Sequence, residues 1–146
     1  MNENPVLSPA ECRHLLETEV VGRVAFVTPA GPRIVPVNYA LAGDAIDLRT
    51  VAYSELATYA PDTEVAFEID HLDRERHQGW SVIAHGRCQR LLHDDDDLFP
   101  LPGQEPEPWA AGPRSLYLRL EWRELSGRRV GGPHWPHPPV SGAGTV

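Results

Sequence analysis

The chain reads as a mainly β domain, an antiparallel barrel or sandwich with short flanking helices, for three reasons. About six segments alternate apolar and polar residues with the period of a strand. Turn chemistry separates several of them, as at Pro29-Ala30-Gly31-Pro32 and Ala42-Gly43-Asp44. No strand alternates regularly with a long helix, which argues against a parallel α/β sheet. A barrel is the better of the two architectures, because a small open sheet leaves edge strands to protect.

Taken in order, Ser8-Pro9-Ala10-Glu11 opens a helix that runs to about Thr18. Ser8 caps it, Pro9 suits the first helical position and Glu11 completes a capping box. Cys12, Leu15 and Leu16 form its single apolar stripe. Val20 to Thr28 is the first extended run and Arg33 to Leu41 the second. Ala45 to Thr50 is the third, with Ile46 and Leu48 on one face and Asp47 and Arg49 on the other. Ser54 caps a short helix that stops before Pro61. Glu64 to Leu72 alternates Val65, Phe67 and Ile69 with polar neighbours, and Asp73 to Gln78 is a solvated connection. Gly79 to His93 is long for one strand, with a bulge or bend expected at Gly86. Arg114 to Leu125 closes the set. The domain thus occupies residues 1–130, and the Gly/Pro-rich stretch 131–146 is expected to be disordered.

Composition narrows the function. All 13 basic side chains of the 146-residue chain are arginine, and with 21 acidic ones the formal charge is −8. That balance argues against a nucleic-acid-binding module, which shows a basic stripe. No apolar stretch is long enough for a membrane helix, and the N-terminus lacks the pattern of a secretory signal, so a cytoplasmic protein is expected. Cys12 and Cys88 have no metal-binding spacing.

No catalytic constellation stands out, and no metal site is expected. His134 and His137 lie in the tail, and Asp94 to Asp97 reads as a solvated loop. One arrangement is more suggestive: Arg49-Thr50 ends a strand and Ser54 opens a helix four residues later, a possible phosphate cradle. On the residues alone, an exposed arginine beside an ordinary cap is the plainer reading.

The order of segments resembles the pyridoxamine 5′-phosphate oxidase-like, FMN-binding split-barrel family, the flavin/deazaflavin oxidoreductase group. The likeness runs through Val21-Gly22-Arg23-Val24-Ala25-Phe26, Ile34-Val35-Pro36-Val37-Asn38-Tyr39, Leu48-Arg49-Thr50, Val65 to Asp70, Gly79-Trp80-Ser81-Val82 and Gly86-Arg87. It closes with Pro108-Trp109-Ala110, the strand Leu116 to Trp122 and Ser126-Gly127-Arg128-Arg129, so that it covers about residues 7–130. The resemblance implies a six-stranded antiparallel split β-barrel, a homodimer with cofactor at the subunit interface, and FMN as cofactor, with F420 as the alternative. It implies hydride transfer through the flavin to a small-molecule acceptor. By motif, Pro36, Val37, Asn38 and Tyr39 would run beside the ring, while Arg49, Thr50 and Ser54 would approach the phosphate. Trp80 and Ser81 would reach the ring from the partner subunit.

One departure stands out. Where relatives carry a phosphate-binding lysine, this chain has Glu55. A like-charge pair at about 4 Å costs about 4 kcal/mol at an effective dielectric of about 20. Either Glu55 turns away, or arginine and the helix start suffice, or the chain is a degenerate, non-catalytic ligand-binding member.

Overall fold

The structure, a computed structural model, describes residues 5–92, 100, 103–110, 112, 114 and 116–131. The tail beyond Gly131, His134, His137 and the Asp94 to Asp97 run lie outside the described residues. Two short helices and six strands follow in the order α1 (Pro9–Leu16), β1 (Val21–Thr28), β2 (Gly31–Leu41), β3 (Ala45–Thr50), α2 (Glu55–Tyr59), β4 (Glu64–Asp73), β5 (Gln78–Leu91) and β6 (Leu116–Val130). The strands close into a barrel in the order β1-β2-β3-β6-β5-β4, every pairing antiparallel.

The first helix starts as its sequence dictates. Ser8 Oγ accepts from the Glu11 N–H at 3.1 Å, and Glu11 Oε2 accepts from the Ser8 N–H at 2.8 Å. Cys12, Leu15 and Leu16 are its buried residues, and the helix lies against β5 and β6. Gly127 makes this approach possible, since a Cβ there would stand 2.8 Å from Cys12 Sγ and 2.9 Å from a Leu7 methyl. Inward residues of all six strands, among them Val24, Tyr39, Ile46, Phe67, Val82 and Leu118, form one apolar core.

Three features of the ladder differ from the sequence expectation or sharpen it. The first hairpin is tighter than expected: Thr28 pairs with Gly31, leaving only Pro29 and Ala30 in the turn, and Gly31 takes a φ of 114°. The last strand runs to Val130 instead of Leu125, because Ser126 to Val130 continues the pairing with the first half of β5 under α1. The bend expected at Gly86 is a register shift between His85 and Gly86, where a side chain would collide with the Glu121 carbonyl.

The barrel is split on one side. Residues 31–38 of β2 pair with β1, but only Tyr39 to Leu41 pair with β3. Over Pro32 to Asn38 the far edge of β2 therefore pairs with no strand among the described residues, which is where proline, lacking an N–H, is tolerated. Pro32 and Pro36 sit on that stretch. Within the part of β3 that does pair with β2, Asp47 is 1% exposed although it lies on the strand face opposite Ile46 and Leu48. Arg119, directly opposite on β6, covers it with a two-pronged ion pair of 2.6 and 2.9 Å.

Candidate functional site

The split opens into a cleft of about 320 Å³. The unpaired edge of β2 forms one wall through Arg33, Val35, Pro36, Val37 and Asn38. The end of β3 and the start of α2 form the second through Arg49, Thr50, Ser54, Glu55 and Leu56. Pro106, Pro108, Ala110 and Arg114 form the third. The structure thus gathers seven of the ten residues singled out in the sequence, Pro36, Val37, Asn38, Arg49, Thr50, Ser54 and Glu55, around one space.

Arg49 is held at its base and free at its tip. Its Nε donates to the Arg114 carbonyl at 3.1 Å, and its guanidinium lies 5.1 Å from the centre of the Tyr117 ring. Among the described residues neither terminal nitrogen has a hydrogen-bond partner, and the Arg114 side chain has no ion-pair partner. Burial pushes the Tyr117 phenol up, with the Arg49 charge opposing it, so the ring stays neutral under the guanidinium. Below the arginine, Thr50 Oγ1 and Ser54 Oγ share a hydrogen bond of 2.9 Å, and Ser54 Oγ also accepts from the Ala57 N–H.

Glu55 is more than half exposed, and Arg33 Nε stands 3.5 Å from its carboxylate. Three guanidiniums and one carboxylate line the cleft, a local balance of +2. The electrostatic obstacle expected at Glu55 is thereby offset by Arg33. The sequence did not mark Arg33 or Arg114: each is one arginine of 13 in the chain, in a segment with no motif of its own.

The other three expected residues lie elsewhere. Tyr39 is buried, packs edge-on against Phe67 at 4.9 Å and donates to the Leu16 carbonyl at 2.6 Å. Trp80 belongs to the core, its ring stacked near that of His71. Ser81 is on β5, opposite Asp70 and Arg128. None of the three lines the cleft of this chain. Among the described residues no group of His, Cys, Asp or Glu is placed to hold a metal, and no helix is long and apolar enough to cross a membrane.

The chain resembles known proteins over most of its described length. A family model described as pyridoxamine 5′-phosphate oxidase matches residues 8–129. An FAD binding protein from Mycobacterium smegmatis superposes with a TM-score of 0.72 at 27% identity, covering 88% of this chain and 100% of that one. A candidate pyridoxamine 5′-phosphate oxidase from Corynebacterium glutamicum gives 0.70 at 25% identity, with 90% and 98% covered. An uncharacterised Mycobacterium tuberculosis protein is 34% identical over 100 residues, 57% of this chain and 66% of that relative, just under two thirds of its length.

Proposed function

We propose that this chain, which belongs to the pyridoxamine 5′-phosphate oxidase family, binds a flavin nucleotide in the split of its barrel and works as an oxidoreductase. The observation that carries the reading is the convergence of Arg33, Arg49 and Arg114 on one cleft in which the one lining carboxylate among the described residues, Glu55, is already paired. Among the described residues the terminal nitrogens of Arg49 have no hydrogen-bond partner and Arg114 has no carboxylate partner, and half-buried donors of this kind favour an anion that completes them. A phosphate fits that donor set: Arg49 and Arg114 supply charged donors, Arg33 a third, and the Thr50 and Ser54 hydroxyls sit beside them.

The volume also fits part of such a ligand. About 320 Å³ is at the small end of ligand sites, so the cleft takes the phosphate end beside Arg49 and only part of the ring, along Val35, Pro36 and Val37. When bound, a flavin supplies hydride chemistry at its ring, here with FMN as the cofactor and a small organic molecule or oxygen as acceptor. The protein's share is to hold the phosphate, orient the ring and keep water from it. No side chain need act as nucleophile.

A second copy of the chain completes the site in this reading. Next to the cleft, the outer face of β1, β2 and β4 presents Ile34 and Val27, 71% and 68% exposed. Ala25 lies in register beside both Ile34 and Ala66 on that face. An apolar sheet face of this kind suits a homodimer, in which Ser81 of β5 is brought toward the partner's cleft while Trp80 stays in the core of its own barrel. Titrating the purified protein with FMN, FAD and F420 while recording absorption and tryptophan fluorescence tests the reading. Saturable binding of FMN supports it; a protein that stays colourless and spectrally unchanged with every one of them overturns it.

A further inference from the structure

The third wall of the cleft is a short extended segment with two faces. Pro106, Pro108 and Ala110 line the cleft described above. The alternating residues Glu105, Glu107 and Trp109 line a second cleft of about 530 Å³ beside Tyr39 and Leu41. One strip of backbone is thus the partition between two cavities. Its proline content keeps it extended, and the Pro106 ring is fully buried. Near its other end, among the described residues, the strip is tied to the barrel by one hydrogen bond: Asn38 Oδ1 accepts from the Trp109 N–H at 2.9 Å. The same amide reaches the Val20 carbonyl through Nδ2 at 3.4 Å, which fixes its orientation. The indole of Trp109 adds little anchorage, being 71% exposed.

We propose that Asn38 is a positioning residue that holds residues 105–110 as a strap, and that this strap controls access to the arginine cleft. While the strap is tied, the two cavities are separate and a ligand on Arg49 is walled in by Pro106 and Pro108. When the tie is lost, the cavities join and the cleft opens on that side. Asn38 therefore acts through the strap, its amide being committed to backbone groups. The functional consequence rests on the reading that the cleft holds a flavin phosphate; the strap itself does not.

Three measurements on the full chain test this. In the ligand-free protein, Asn38→Ala is expected to speed hydrogen exchange at the Trp109 amide about fivefold or more, the effect of losing one ordinary hydrogen bond. Amides of β5 should be unchanged, and Asn38→Asp, which keeps an acceptor, should retain the protection. Modification of Arg49 by a guanidine-specific dicarbonyl, followed by mass spectrometry, should accelerate by a similar factor in Asn38→Ala. Pro108→Gly, which leaves Asn38 in place but loosens the strip, should accelerate it too. With FMN bound, dissociation followed by stopped-flow fluorescence should be several-fold faster in Asn38→Ala. Unchanged exchange at Trp109 overturns the tether. Faster exchange with unchanged modification of Arg49 overturns the shared wall. A wild-type chain that binds no FMN removes the flavin reading, while the first two measurements still decide the strap.

Discussion

Two arginine–carboxylate pairs in this barrel have the same chemistry and opposite settings. At the seam of β3 and β6, Arg119 grips Asp47 through both nitrogens at 2.6 and 2.9 Å, with side chains 12% and 1% exposed. At the mouth of the cleft, Arg33 and Glu55 meet at a single contact of 3.5 Å, and both are more than a third exposed. The first pair is locked by ladder register, since its residues are directly opposite. The second joins a strand edge to the first turn of a helix, with open cleft beside it. Burial makes the one structural, while the exposed pair is the one that, in the proposed reading, would exchange its carboxylate for a ligand's phosphate.

Breaking the seam should have the largest effect. Asp47→Ala leaves Arg119 buried without its partner and should cost about 3–5 kcal/mol in chemical denaturation. Replacing both, as Asp47→Leu with Arg119→Met, should recover most of that loss. Arg49→Ala should leave the melting behaviour close to wild type yet weaken FMN about 10- to 100-fold by fluorescence titration, the worth of charge-assisted contacts.

An alkaline titration separates the pairs from the core. The chain has no lysine, so neither ion pair loses its cation below about pH 12. Burial pushes the Cys88 thiol from its ordinary 9.0 up to about 12, with Asp62 adding to the effect, and burial raises the Tyr39 phenol as well. Unfolding lets these groups ionise earlier. Their stability contribution is therefore complete below about pH 9 and is lost as pH rises toward 12. Urea midpoints measured across that window should fall, and Cys88→Ala should flatten the fall.

The smallest effect belongs to the exposed pair. Glu55→Gln should shift stability by no more than about 0.5 kcal/mol. By freeing Arg33 it should tighten FMN a few-fold, and weaker binding in this variant would show that Glu55 itself assists the ligand.

These contrasts also mark what a linear reading can see. The strands were legible because one face of each packs inward, so Val65, Phe67 and Ile69 declare their period. The helix start at Ser8 was legible because a capping box is local. Arg49, Thr50 and Ser54 were found because they lie within six residues of one another. The burial of Asp47 was not, since it depends on a residue 72 positions away. Arg33 and Arg114 were missed for the same reason: the cleft is assembled by an unpaired stretch of β2, and only the register shows where β3 leaves it. Family likeness pointed to Tyr39 and Trp80, but their rings fill the barrel interior in this chain.

The proposed flavin site stands on recognition of a phosphate by arginine in the split of the barrel. Parallel titrations of the wild-type chain with FMN and with riboflavin, its phosphate-free counterpart, test it most directly. Arginine recognition predicts that FMN binds at least about tenfold more tightly, and that Arg49→Ala removes most of the difference. Equal affinity for the two ligands, unchanged by Arg49→Ala, would contradict it.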